Sequence, residues 1–435
     1  MTVRLINPRT VLLVALVFVG GVVLFGALNQ TTAPRTSPDG GGAAAALAHP
    51  RTTDELIASL QAIVRANPRS ADEYVLLADA YIQKVRETGD AGFYRRSEGV
   101  LAIARRLAPR DSAVYTGLGT LALSRHDFRA GLAYGLRAHA LAPDLVRPLG
   151  VIVDAQVELG RYGDAGRTLQ RMIDAKPSLA SYARASYFRE LHGDLAGGER
   201  AMQLAVDAGG EAPENVAYVQ SLLGQLELTR GEIGAAQRAY RLALYRFPGY
   251  APAEAGLARV ELARGRLHLG IRRLRGVVNR LPLPEYVIAL GEAEQAAGLQ
   301  RRGRDDLGLV DAERRLLAAN GVNTDTEIAL FEADHGSPAR AVTLGRRAWR
   351  NAPSVRSADA LGWARTVSGH PAAGLSWAHR ALRLGSRDPM FLYHAGMSAR
   401  AAGSRAEART YLMRALSLNP HFSPLYAPRA RRALR

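Results

Sequence analysis

Proline and glycine recur along this chain at a fixed beat. Pro109, Pro143 and Pro177 are spaced 34 residues apart, as are Pro248 and Pro282. Gly160, Gly193, Gly231, Gly265, Gly298, Gly336, Gly369 and Gly403 keep the same beat, mostly 33 or 34 apart. Glycine makes up 43 of 435 residues, too few for chance to return it to one phase eight times. A period of this length marks one structural unit copied many times. A stacked array has no single enclosed active site. It offers extended surface, which suits binding to other macromolecules.

One unit shows the local logic. Residues 217–248 read AYVQSLLGQLELTRGEIGAAQRAYRLALYRFP. A first helix carries Leu223 and Gly224, and Gly231 ends it, because glycine accepts the left-handed conformation that closes a helix. A second helix carries Ile233, Ala236, Tyr240 and Ala243. Pro248 stops it, since proline cannot continue a helix. From Thr53 onward no strand alternation interrupts this pattern, so the expected class is all-α.

The order Leu-Gly, Gly, Ala, aromatic, Ala, Pro resembles the tetratricopeptide repeat (TPR). The small slots recur in phase. Gly119, Gly224, Gly291, Gly362 and Gly396 sit midway along first helices, and Ala165, Ala236, Ala341 and Ala408 sit on second helices. Small residues on both sides let two helix backbones approach closely. Ten units end near Pro109, Pro143, Pro177, Gly210, Pro248, Pro282, Leu316, Pro353, Ser386 and Pro420, and residues 53–68 read as a capping half-unit. The resemblance implies an α-solenoid, a right-handed superhelix of about ten units over residues 53–420, with residues 421–435 as a basic tail. Three places depart from the pattern. An insertion lies at 84–93, GGEAPEN replaces the expected proline at 209–215, and the second helix of unit seven is long, about Gln300 to Ala319.

The first fifty residues differ in kind. Val11 to Leu28 is uncharged, with Arg4 and Arg9 before it and Arg35 after it. As a helix it would span about 27 Å, enough for a bilayer core. The basic flank predicts residues 1–10 in the cytoplasm, 11–28 as a transmembrane helix, and the repeats outside. The alternative is a signal peptide, cleaved to release a secreted protein. Residues 29–52, rich in proline, glycine and alanine, read as a flexible linker.

The chain has no cysteine, which excludes disulfides, thiolate metal sites and cysteine nucleophiles. Formal net charge is +17, carried almost entirely by arginine, since Lys84 and Lys176 are the only lysines. The excess is layered. Over units five to ten the first helices sum to −6 and the second helices to +16. The resemblance implies that first helices line a concave groove and second helices form the outer surface. The groove layer carries Glu285, Glu292, Glu294, Asp325, Glu327, Glu332 and Asp334. The expected partner-binding residues are Tyr187, Arg259, Glu292, Glu294, Glu332, Trp363, Tyr393, Met397 and Arg400. An extended peptide or a helix is the expected occupant.

Catalytic signatures do not emerge. There is no phosphate loop, no His-Glu-x-x-His helix and no Gly-x-Ser-x-Gly elbow, and no cofactor or metal is implied. Where some relatives of this repeat grip acidic chaperone tails with Lys and Asn, this chain has Thr116, Thr120, Gly150, Asp154, Ser221 and Gln225. The expected function is a membrane-tethered protein-interaction scaffold, not an enzyme. The alternative is a basic outer surface that binds nucleic acid, an anionic polymer or a membrane surface. Nucleic acid is disfavoured, because the inner layer is neutral to acidic and few stacking aromatics accompany the outer arginines.

Overall fold

The structure is a computed structural model and describes residues 52–210 and 213–435. Those residues form helices and turns with no strand. Helix α1 (Thr53–Ala66) opens the array, started by a capping box between Thr52 and Glu55. Ten antiparallel pairs follow. The first five are α2 (Ala71–Thr88) with α3 (Gly92–Leu107), α4 (Ser112–Ser124) with α5 (Phe128–Leu141), α6 (Arg147–Glu158) with α7 (Tyr162–Ala175), α8 (Leu179–Leu191) with α9 (Leu195–Ala208), and α10 (Pro213–Thr229) with α11 (Ile233–Arg246). The sixth is α12 (Ala251–Ala263) with α13 (Leu267–Arg280). In the seventh, α14 (Pro284–Ala296) meets a second helix broken at Gly308 into α15 (Gln300–Leu307) and α16 (Val310–Ala319). The last three are α17 (Asp325–His335) with α18 (Pro338–Asn351), α19 (Val355–Val367) with α20 (Pro371–Ala381), and α21 (Pro389–Ala401) with α22 (Arg405–Leu418). Residues expected to trail as a tail instead form α23 (Tyr426–Ala433).

The small residues do what their spacing implies. A Cβ on Gly303 would lie 2.7 Å from the Gly291 carbonyl oxygen, and one on Gly374 would lie 2.8 Å from that of Gly362. The two helices of a pair therefore cross with their backbones in contact, and no larger residue fits there. First helices of successive pairs pack on one another more closely than second helices do, so the array curves with the first helices inside.

The curvature is tight enough for one turn of the array to touch the next. Gly160, in the turn of the third pair, approaches Pro353 so closely that a Cβ would sit 2.3 Å from its carbonyl oxygen. Gly193 meets the Gly385 carbonyl in the same way, and Gly231 meets Leu418. Hydrogen bonds cross the same seam. The Val355 amide donates to the Tyr162 hydroxyl at 2.8 Å, and the Asn323 amide donates to the Arg125 carbonyl at 3.0 Å. His126 Nδ1 lies 2.7 Å from the Asn323 carbonyl oxygen. The contacts of Arg125, His126, Tyr162, Gly160 and Gly193 each join a pair to the start of the pair six places on, and that of Gly231 joins pair five to the end of pair ten. Successive turns of the array thereby press on one another along a seam.

Two of the sequence irregularities are partners. Arg86, in the 84–93 insertion, donates to Glu214 at 2.7 Å and to Asn215 at 3.1 Å in the 209–215 segment. Tyr250 also donates to Glu214, whose side chain is 1% exposed. The extended first helix of pair one thus reaches the start of pair five.

One expectation is corrected. Val11–Leu28, expected to cross a membrane, lies outside the described residues, and among the described residues no helix is long and apolar enough to cross one. The longest, α2, has 18 residues but carries Asp72, Glu73, Lys84, Arg86 and Glu87. These helices bury one face against neighbours and keep charges on the other. The expected location, a single-pass protein of the cell membrane with repeats beyond it, is withdrawn on this finding.

Candidate functional site

Helical phase decides which first-helix side chains reach the inner surface. Glu294 does not. It is fully buried between α14 and the next layer, paired with Arg275, which also binds Asp306 at 2.9 Å. Glu332 turns into its own pair, accepting from the Ser337 amide at 2.8 Å and from Arg340 at 3.2 Å. Asp325 takes a bidentate hold from Arg347, and Glu254 pairs with Arg280. Part of the acid counted on first helices therefore neutralises arginine counted on second helices. The two layers are electrically coupled through pairs six to eight.

Four expected residues do converge. Glu292, Trp363, Tyr393 and Met397 face the inner side of pairs seven to ten. Trp363 Nε1 donates to Asp334 at 2.9 Å, and its indole stacks on His394 with ring centres 4.8 Å apart. His394 is buried, with Nδ1 2.9 Å from Asp359. Burial opposes its charge, but the adjacent Asp359 carboxylate, together with Asp334 and Asp388, outweighs burial and raises its pKa. Tyr393 lies 5.4 Å from Tyr426 and 5.9 Å from Phe422, ring centre to ring centre. Arg400 is exposed on the last turn of α21 and stands outside this cluster.

This surface is already occupied. Tyr426, on α23, is 3% exposed and donates from its hydroxyl to Glu292 at 2.9 Å, with His335 Nε2 at 3.4 Å. Tyr393, Leu412, Tyr426 and Ala430 form one apolar cluster, flanked by Met397 and Phe422. Nothing in the periodicity of 53–420 signals this contact. Its only sequence trace is Tyr426 standing just ahead of a run of arginines.

Tyr187 and Arg259 lie elsewhere. Arg259 is half-buried beside Glu285, whose pKa burial pushes up to about 7 against the pull of Arg259. Tyr187 sits at the inner rim of the seam and donates to Glu158 at 3.3 Å. There Arg356, on the first turn of α19, lies within electrostatic reach of Glu158, Glu190, Glu327 and Asp388, without an ion pair to any of the four. Burial pushes Glu158, Glu190 and Glu327 each up to about 7, with Arg356 pulling the other way, and it raises Asp388 too. Burial also works against the Arg356 charge, yet Tyr187 and these carboxylates lift its pKa above the ordinary arginine value. One cation thus acts at a distance on four acids drawn from two turns. Sequence reasoning missed Arg356, Glu158, Glu190 and Asp388, because their meeting depends on the winding of the array.

On the outer side of the seam lies a cleft of about 420 Å³, lined by Arg230, Glu232, Arg387, Arg414 and apolar residues. Arg230 is held by Glu199 and Glu227. Among the described residues no group of three or more His, Asp or Glu side chains is placed to hold a metal ion.

No protein-family model matches this chain, and no curated protein matches it. Several solved structures show similarity to this chain. The human IFIT1 dimer with m7Gppp-AAAA is 14% identical, with a TM-score of 0.47, 84% of this chain and 86% of that chain being covered. TTC0263, a thermophilic TPR protein of Thermus thermophilus, is 19% identical, with a TM-score of 0.39, 44% of this chain and all of that chain being covered. The Cut9–Hcn1 hetero-tetramer of the APC/C is 12% identical, with a TM-score of 0.33, 88% of this chain and 93% of that chain being covered.

Proposed function

We propose that this chain is a protein-interaction scaffold that receives a peptide or helix of a partner on the inner face of its helix array. The observation that carries this reading is the inner surface of pairs seven to ten. It brings aromatic, acidic and apolar side chains together from four successive pairs, and it holds a short helix there. Such a surface distributes binding over many modest contacts, with aromatic anchors at its centre. Glu292, Trp363, Tyr393 and Met397 are the proposed contacts, with Arg259 and Tyr187 further along the same face.

The outer layer favours this reading over the anionic-ligand alternative. Arg275, Arg280, Arg340 and Arg347 are all committed to acids of the first helices. A guanidinium already paired releases less energy when it meets a phosphate.

Site-specific photo-crosslinking in cells tests the proposal. A crosslinking residue in place of Arg259 is expected to capture one discrete protein partner, and one in place of the exposed, outer Arg346 to capture none. Capture from the outer position alone, or of nucleic acid from either, would overturn it.

A further inference from the structure

Resting on that reading, we propose that residues 421–435 act as an intramolecular plug of the groove, and that the partner helix matches its chemistry, one buried tyrosine followed by arginines. Three observations support it. The first is placement: Tyr426 lies against the inner residues of pairs seven, eight and ten, far beyond its neighbour α22. The second is polar fit. The buried tyrosine hydroxyl finds its acceptor in Glu292, a carboxylate of the inner surface that His335 Nε2 also contacts at 3.0 Å, and buried polar groups rarely go unpartnered. The third is charge. The segment carries Arg429, Arg431, Arg432 and Arg435 and no acid, while the surface beneath it carries Glu292 and Asp334. Arg429 lies over the Tyr426 ring, 5.2 Å from its centre, so cation and anchor enter as one unit.

The plug holds by tethering as well as by contact. A short helix with one anchored aromatic and a few exposed arginines is a modest ligand in trans. Joined to the array by the few residues after α22, it faces its site at an effective concentration in the millimolar range. An outside helix must displace it, and does so by offering the same tyrosine hydroxyl to Glu292 with better flanking contacts.

The probe is a fluorescent peptide of residues 421–435, titrated into the full-length protein. Wild type is expected to bind it at least about tenfold more weakly than full-length Tyr426→Ala, because the intramolecular copy competes. Full-length Arg429→Glu/Arg432→Glu, altered only at exposed positions, is expected to gain the same binding should Tyr426→Ala fold poorly. A peptide carrying the Tyr426→Ala change is expected to bind neither. Equal binding to wild type and the opened variants overturns the plug, as does no binding to an opened variant with a wild-type melting curve. The two readings fail separately. If crosslinking at Arg259 captures a partner equally in wild type and Tyr426→Ala, the plug fails and the scaffold stands. If the peptide behaves as expected but no partner is captured, the scaffold fails and the plug stands.

Discussion

At the residue scale, the strongest single commitment is between Asp154 and Arg184. The guanidinium donates to both carboxylate oxygens at 2.9 and 2.8 Å, and both side chains are almost wholly buried. Gly150 leaves room for it, since a Cβ there would lie 3.1 Å from the guanidinium carbon. Removing one partner strands a buried charge. Asp154→Ala is therefore expected to cost about 3–5 kcal/mol by urea denaturation, and replacing both partners with apolar residues much less. Such pairs show why inner-face residues were only partly legible. Glu292 and Glu294 are two positions apart, about 200° around a helix, so one meets Tyr426 and the other meets Arg275. A count of acids per helix cannot separate them. Only the phase relative to the small-residue slot can, and that distinction was available in the sequence.

At the element scale, the periodic glycines divide into two classes that look alike in sequence. All end first helices with positive φ or close to a turn, and this common role made the helix pairing legible. Gly298, φ +81, has nothing within 4 Å of a virtual Cβ, whereas Gly160, φ +69, abuts the Pro353 carbonyl. Gly298→Ala is expected to cost about 1 kcal/mol, the penalty of a left-handed alanine. Gly160→Ala is expected to cost at least about 1 kcal/mol more, because backbone must move. It is also expected to accelerate hydrogen exchange at Val355, whose amide bonds across the seam. Equal costs, with Val355 protection unchanged, would mean that the turns do not press on one another in solution.

At the scale of the whole molecule, winding matters more than the repeat. The spacing of glycine and proline specifies each hairpin but not the angle between successive hairpins. That angle comes from dozens of side-chain contacts, so the closure of one turn on the next, and the approach of Arg356 to four acids, were not legible. The closure has a pH signature. Glu158, Glu190 and Glu327 have folded pKa values of about 7, above the ordinary 4.5, so between those values the folded chain binds more protons than the unfolded one. Their contribution to stability is complete below about pH 4.5, falls as pH rises, and is lost above about 7. Urea midpoints are expected to decline over that window, and Glu158→Gln/Glu327→Gln to flatten the decline. A slope unchanged in the double variant would place the titrating groups elsewhere.

The six-pair step of the seam has a kinetic consequence. Contacts such as Tyr162 with Val355 join residues 193 positions apart, so a chain leaving the ribosome can pile hairpins in order but cannot finish the first coil until the last pairs have emerged. Strictly linear arrays unzip from either end in small steps. This one is expected to resist fraying until the coil springs open, then lose several hairpins in a single event. Pulling on the two ends with optical tweezers would record that event as one large rip instead of a staircase.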